Sequence, residues 1–283
     1  MKLTQDTLPN YFSIADSNSS WLKVPTNTFN FISNHSRTLV VTVGDSWTWG
    51  ADMSANNSDK NLRLNCLYGR LIANELGSDW LNLGLSATGN FWLASMVEEF
   101  AKTLPELEYD KIYVICTFTE TGRWFNTQYD LYINYLSWFR NNISKKEDFD
   151  KLLHMLNNEC ISRILAALKK YTNVDIKVGT NFVDQIGFDQ LSTSQRLVKP
   201  WIQTMGYDYT DPVYVCVHGV DALVKAQEFI DPENHSLFKE WMIGIMDLAN
   251  ERIKILNDKR NFMGCHPGPA GHQQWANYIL GQM

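Results

Sequence analysis

Continuous apolar runs alternate along this chain with longer stretches in which apolar positions recur every three to four residues. Apolar runs rich in β-branched residues predict buried strands, and the longer period predicts amphipathic helices. The predicted strands are Leu39–Val43, Trp80–Leu83, Lys111–Phe118 and Val174–Gly179, with a further candidate at Tyr214–Val217. The predicted helices are Cys66–Leu76, Phe91–Thr103, Phe149–Tyr171, Leu237–Leu256 and Pro269–Leu280.

Strands that alternate with helices indicate βαβ crossovers. The pattern therefore predicts an α/β fold, a three-layer α/β/α sandwich with a mainly parallel central sheet. Residues 1–37 are polar, rich in Asn and Ser, and carry scattered aromatic residues, which predicts an irregular N-terminal arm. Residues 38–283 are expected to form one domain, with a candidate insertion around 184–230, where Pro and Gly interrupt the pattern.

Composition excludes several function classes. The chain has 283 residues and a formal charge of −6, which argues against nucleic acid as the main partner because phosphate binding needs a basic patch. No stretch reaches transmembrane length, so no membrane partner is expected. The first twenty residues lack the apolar segment of a secretory signal. Five widely spaced cysteines without a CxxC pair predict neither disulfides nor a metal site, and they favour a cytoplasmic location.

The motif Gly44-Asp45-Ser46 directly follows the first predicted strand. Open α/β sheets place their ligand sites at the carboxyl ends of their strands. A serine at the head of the next helix lies near backbone N–H groups that stabilise an anion, and a serine nucleophile is presented in this way. The alternative is that Asp45 or Ser46 only caps the helix. Both interpretations stay open from this motif alone.

A serine nucleophile needs a base that accepts its proton, and His266 has the most suggestive setting of the six histidines. It lies in a Gly- and Pro-rich loop, Cys265–His272 (CHPGPAGH), just before the last predicted helix. From there it can reach over a sheet edge, whereas His272 falls inside the helix. The alternative for His266 is an ordinary surface histidine.

Together these residues resemble the SGNH hydrolase superfamily, also called GDSL hydrolases. The resemblance rests on Gly44-Asp45-Ser46, on the segment Asn82–Asn90 (NLGLSATGN) and on His266-Pro267. It implies a flavodoxin-like hydrolase fold in which Ser46 is the nucleophile, His266 is the base and no cofactor is needed. It also implies an oxyanion hole made by the backbone N–H groups of Ser46 and Ala87, because Ala87 stands where the family has a glycine.

Two departures from the family pattern stand out. The family's third block carries an asparagine that completes the oxyanion hole, but this chain has Thr119-Glu120-Thr121-Gly122-Arg123 after the strand. Some phage-encoded relatives have a comparable variant, often with an asparagine resembling Asn90, so Asn90 is a candidate substitute donor. The family also places an aspartate three residues before the base. Here that position is Met263, which leaves a Ser–His dyad or an acid recruited from elsewhere.

Two functions therefore stay open. The first is an esterase or carbohydrate O-deacetylase that acts on a small ester or an acylated carbohydrate; the ten tryptophans and twelve tyrosines include candidates for stacking on sugar rings. The second is a catalytically weak or inactive structural protein of a phage virion, such as a tail or baseplate component, that assembles with a protein partner through residues 1–37. Ester hydrolysis with fluorophosphonate labelling of Ser46 would distinguish them.

Overall fold

The computed structural model describes residues 3–4, 29–53, 59–86, 88–119, 146–182, 188–209, 250–264 and 266–283, together with the single positions 232, 236 and 247. Within these ranges the chain builds a five-stranded sheet with helices on both of its faces. The predicted α/β class is therefore confirmed. None of the described helices combines the length and apolar character needed to cross a membrane.

The central sheet contains β1 (Asn30–Ile32), β2 (Thr38–Gly44), β3 (Asp79–Asn82), β4 (Lys111–Phe118) and β5 (Val174–Thr180). Their spatial order is β1-β3-β2-β4-β5, and every pair is parallel except β1 with β3. After β2 the chain places β3 on one side of it and then β4 on the other side. The direction of strand addition therefore reverses between β2 and β4, and this is the topological switch point of the sheet. Ligands of open α/β sheets bind beyond the strand ends at this point.

Two apolar layers cover the sheet because side chains alternate between its faces along each strand. On β2, Leu39, Val41 and Val43 belong to one core and Val40 to the other. The first core includes residues of α4 (Asn90–Thr103) and α5 (Lys146–Leu168). The second core includes residues of α2 (Lys60–Cys66), α3 (Tyr68–Glu75), α6 (Trp201–Thr204) and α7 (Pro269–Leu280).

Three short elements complete the described fold. Helix α1 (Ser46–Trp49) follows β2, and a hairpin of β6 (Phe262–Met263) and β7 (His266–Pro267) precedes α7. Single 3-10 turns occur at Leu104–Glu106 and Phe188–Gln190. Helix α1 and the hairpin are neighbours, since α1 packs against β7.

One predicted helix is interrupted at its second residue, and its first residue is the end of the preceding helix α2. The pattern predicts a single helix over Cys66–Leu76, but Leu67 has extended backbone, with φ −67° and ψ 139°, between α2 and α3. The break allows Leu67 to be fully buried in the second core, and it directs the Tyr68 N–H to the His272 ring at 3.2 Å. Gly77 ends α3 with φ +57°, the left-handed conformation that glycine adopts without strain.

Parts of the predicted organisation lie outside the described residues. This applies to the candidate strand at 214–217 and to most of the arm and of the predicted helix 237–256. Within the arm, residues 30–32 form β1 rather than irregular chain, because Phe31 is buried in the first core. Within the region 184–230, Leu197, Trp201 and Ile202 are fully buried in the second core.

Candidate active site

Ser46 is the first residue of α1, immediately beyond the end of β2, and only 5% of it is exposed. Asp45 is the helix cap, because its Oδ1 accepts a hydrogen bond from the Trp47 N–H at 3.0 Å. The tight turn requires glycine at position 44. A Cβ atom there would lie 2.2 Å from Thr48 Oγ1. Gly44 thus makes the turn out of β2 and Asp45 caps α1. Ser46 is therefore not needed as the cap.

The loop after β3 is bound to the Ser46 turn. The Asn82 amide joins them, since its Nδ2 donates to the Thr48 carbonyl at 3.2 Å while its Oδ1 accepts from the Gly84 N–H at 2.9 Å. The Leu85 N–H donates to the Gly44 carbonyl at 3.0 Å. Gly84 is also needed for this contact, because a Cβ there would approach Trp49 N at 2.7 Å. Ala87, predicted to contribute to the oxyanion hole, lies outside the described residues.

Asn90 is in the same region but has another bonding role. Its Nδ2 donates to the Thr119 carbonyl at 3.1 Å and to Asn157 Oδ1 at 3.2 Å, and its Oδ1 accepts from the Thr119 N–H at 2.9 Å. An amide group has two hydrogens, so both are engaged. Asn90 therefore joins the start of α4 to the end of β4. Donation to an oxyanion by its side chain would require one of these bonds to break.

His266 lies on β7 with a partly buried side chain. Its Nδ1 is 2.7 Å from Oδ2 of Asp52. Met263, which stands where the family pattern has an aspartate, pairs with His266 across the hairpin. The carboxylate of Asp258, five residues before Met263, is engaged elsewhere, with Arg260 and with the Tyr207 hydroxyl. The carboxylate on the His266 ring therefore comes from Asp52.

Sequence reasoning did not find Asp52. The residue lies 214 positions from His266, and the hairpin that brings the two together leaves no periodic signal in the sequence. A weak signal exists beside the serine motif. Asp52 ends the segment Gly50-Ala51-Asp52, directly after α1, and its φ of +61° is uncommon for a residue other than glycine.

A buried polar network lies beside the site. The Tyr68 hydroxyl is 3.3 Å from Thr48 Oγ1 and 3.1 Å from Thr117 Oγ1, so it connects α1 to β4. The His272 ring accepts at Nδ1 from the Tyr68 N–H and stacks on the Tyr68 ring with centroids 6.0 Å apart. Burial, with a smaller effect of the His266 charge, lowers the pKa of His272 to about 3. His272 is therefore a neutral core residue, and it lies inside the last helix as the sequence predicts.

The described residues show no metal site, since no group of three or more His, Cys, Asp or Glu side chains within them is arranged to hold a metal ion. Of the residues that follow β4, Thr119 is buried; its backbone N–H donates to Asn90 Oδ1 and its carbonyl accepts from Asn90 Nδ2. Glu120 and Arg123 lie outside the part of the chain that is described. The described site thus consists of Ser46 on α1, His266 on β7, Asp52 beside it and the loop after β3.

No protein-family profile and no curated protein sequence matches this chain. Solved structures with a similar arrangement include a lipase from a goat rumen metagenome, with 10% identity and a TM-score of 0.39, covering 87% of this chain and 97% of that one. A member of the lipolytic G-D-S-L family from Veillonella parvula has 9% identity and a TM-score of 0.37, covering 86% and 97%.

A family two carbohydrate esterase from Clostridium thermocellum, solved with cellohexaose, has 12% identity and a TM-score of 0.39, covering 87% of this chain and 65% of that one. Identities and TM-scores this low do not carry the activities of these proteins over to this chain. The functional assignment depends on the chain's own residues.

Proposed function

We propose that this protein hydrolyses carboxylic esters through an acyl-enzyme on Ser46, with His266 as general base. The observation that carries the proposal is the position of the imidazole. His266 stands on a strand that packs against the helix opened by Ser46, and its Nδ1 is bonded to a carboxylate at 2.7 Å. These contacts support the proposal that Ser46, His266 and Asp52 act together at the carboxyl end of β2, next to the switch point of the sheet.

The proposed reaction proceeds in two steps. In the first, Ser46 Oγ attacks the ester carbonyl carbon and its proton passes to His266 Nε2. The tetrahedral oxyanion then collapses, the C–O bond to the alcohol breaks, and His266 returns the proton to the leaving oxygen. In the second, water attacks the acyl-enzyme with His266 again as base, which releases the carboxylic acid and restores Ser46.

The oxyanion needs N–H donors that are already in place. We assign this role to the backbone N–H groups of Ser46 and Ala87, as the family resemblance implies. Two contacts support the assignment, because the loop that carries Ala87 is fixed to the Ser46 turn through Asn82 and Leu85. Asn90 is assigned a supporting role, since it fixes the beginning of α4 to Thr119.

The substrate class we propose is a small ester or an acylated carbohydrate. Trp49 ends the helix that Ser46 begins, and its side chain is partly exposed. The Arg63 guanidinium lies 4.1 Å from the centre of the Trp49 ring and donates to the Trp49 carbonyl at 2.8 Å. Arg63 thus packs on the indole, and a partly exposed aromatic side chain three residues after Ser46 supports the proposal of a sugar substrate.

The proposal is tested with p-nitrophenyl acetate, acetylated xylan oligosaccharides and a fluorophosphonate probe. We expect the wild type to release p-nitrophenol and to be labelled on Ser46, and Ser46→Ala to show neither reaction. Ser95→Ala is the matched control, because Ser95 is a helical serine away from the site that donates to the Phe91 carbonyl. A folded wild-type protein that neither hydrolyses an ester nor reacts with the probe would contradict the proposal and would favour the structural role.

A further inference from the structure

We infer that Asp52 is the positioning acid of this site, so that acid and nucleophile come from one short segment and the base alone comes from the C-terminal hairpin. The inference rests on the proposed function. It assigns to Asp52 the task that the residue at position 263 has in the family pattern, where this chain has Met263. A carboxylate on Nδ1 holds the ring tautomer that presents Nε2 to the serine.

The segment that carries Asp52 is fixed relative to Ser46. The N–H groups of Gly50 and Ala51 both donate to the Ser46 carbonyl at 2.9 Å, so the chain turns back immediately after α1. The residues on either side of Asp52 anchor it, since Ala51 is 5% exposed and Met53 is fully buried. The Asp52 backbone therefore cannot shift without disturbing the helix that begins with Ser46.

The hairpin is shaped to receive this carboxylate. Gly264 has a φ of +63°, and a Cβ atom at this position would lie 2.5 Å from Asp52 Oδ2. The positive φ favours glycine at this turn, and a side chain there would push the Asp52 carboxylate away. Asp52 itself has a φ of +61°, a conformation that disfavours most side chains. Two unusual backbone positions thus meet where the carboxylate reaches the imidazole.

The alternative is a surface ion pair that merely stabilises the hairpin. The Asp52 side chain is 42% exposed, and exposed pairs contribute little to stability. The two roles differ in what they change. A surface pair would leave turnover unchanged, whereas a positioning acid affects turnover as well as the ring that it holds.

Asp52→Asn keeps the shape of the side chain and removes its charge. We expect kcat for p-nitrophenyl acetate to fall by about two to four orders of magnitude, with KM little changed, because the loss concerns the transition state. Gly264→Ala should also lower kcat, since it displaces the carboxylate and leaves it charged. Gly281→Ala is the control, because a Cβ there meets only ordinary contacts, the nearest at 3.5 Å.

A rescue experiment separates positioning from general damage. Met263 lies opposite His266 in the hairpin, at the place where the family carries its acid. In the Asp52→Asn background, Met263→Asp should restore kcat at least tenfold, whereas Met263→Asn should not. Unchanged kcat in Asp52→Asn would overturn the inference, and so would equal kcat in the two double variants. The proposed function would still stand in either case if the wild type is active and Ser46→Ala is inactive.

Nitrogen-15 spectra of the His266 ring test the inference even if the protein hydrolyses nothing. The wild type should show His266 protonated at Nδ1 at neutral pH, and Asp52→Asn should shift the ring toward the other tautomer. An identical His266 spectrum in both proteins would overturn the inference. A tautomer change in a protein that neither hydrolyses esters nor labels Ser46 would show a carboxylate bonded to the ring with no reaction to serve, and it would overturn both the inference and the proposed function.

Discussion

Asn181 donates its side-chain amide to both carboxylate oxygens of Asp45, at 3.1 Å each, although their strands are not neighbours. Asp45 follows β2 and Asn181 follows β5, with β4 between them in the sheet. The bond therefore spans the end of β4. Both residues are buried, at 4% and 2% exposure, so the charge on Asp45 depends on donors within the protein.

Removing the Asn181 amide should destabilise the turn that presents Ser46. Asn181→Ala leaves a buried carboxylate with fewer donors, which costs about 1–3 kcal/mol or more when the group is charged. We expect a lower free energy of unfolding in urea and slower fluorophosphonate labelling of Ser46. Asn173→Ala is the matched control, because Asn173 donates its amide to the Tyr109 carbonyl just before β5, away from Ser46. Equal labelling rates in the two variants would mean that Asn181 does not support the turn.

Gly44 should tolerate no larger residue. In Gly44→Ala the added methyl group would lie 2.2 Å from Thr48 Oγ1 and 2.9 Å from the Thr117 carbonyl oxygen, which is part of the sheet. Overpacking of this kind typically costs about 1–3 kcal/mol. Thermal unfolding should show the loss for Gly44→Ala, whereas Gly281→Ala should remain close to the wild type. A Gly44→Ala protein of wild-type stability would show that α1 can move away from β2.

His272 should make the fold sensitive to acid. Burial lowers its pKa to about 3, whereas in the unfolded chain it titrates near the ordinary value of 6.5. Below pH 6.5 the unfolded chain therefore binds a proton that the folded protein excludes. Between about pH 6.5 and 3 the free energy of unfolding should fall as pH falls, at about 1 kcal/mol per pH unit from this residue.

Urea denaturation at several pH values measures this slope. His272→Asn should reduce it, because asparagine can still accept the Tyr68 N–H but does not titrate. His35→Asn is the control, since His35 is exposed and asparagine tolerates its positive φ of 58°. If His272→Asn kept the wild-type slope, the acid sensitivity would have to come from other groups.

Local pattern was sufficient to predict four of the five strands of the sheet, all except β1. Lys111–Phe118 is a strand with the predicted bounds, and the helix predicted over Phe91–Thr103 begins one residue earlier, at Asn90. These segments are buried in the core, so their hydrophobic period directly reflects their surroundings. The position of Ser46 at the head of a helix beyond β2 could be predicted for the same reason.

Contacts between distant segments could not be predicted from local pattern. The break at Leu67 coincides with the contact between the Tyr68 N–H and His272, 204 residues further along the chain. The family pattern predicts a carboxylate for the His266 ring at position 263. Instead the Asp52 carboxylate reaches the ring, because the hairpin packs against α1. Both the helix break and the Asp52–His266 bond depend on packing between distant segments, which a single sequence does not reveal.

The long separation between Asp52 and His266 also bears on the order of folding. Contacts between residues 214 positions apart require closure of a large loop, which slows folding relative to local contacts. Strands β2 to β5 and their crossover helices can pair before the hairpin and α7 join them. We expect the hairpin to dock last, so that under the proposed function a chain that has not yet docked it has Ser46 without His266. Reactivity at Ser46 thus becomes a late marker of native assembly, and appearance of fluorophosphonate labelling during refolding would time the docking of α7.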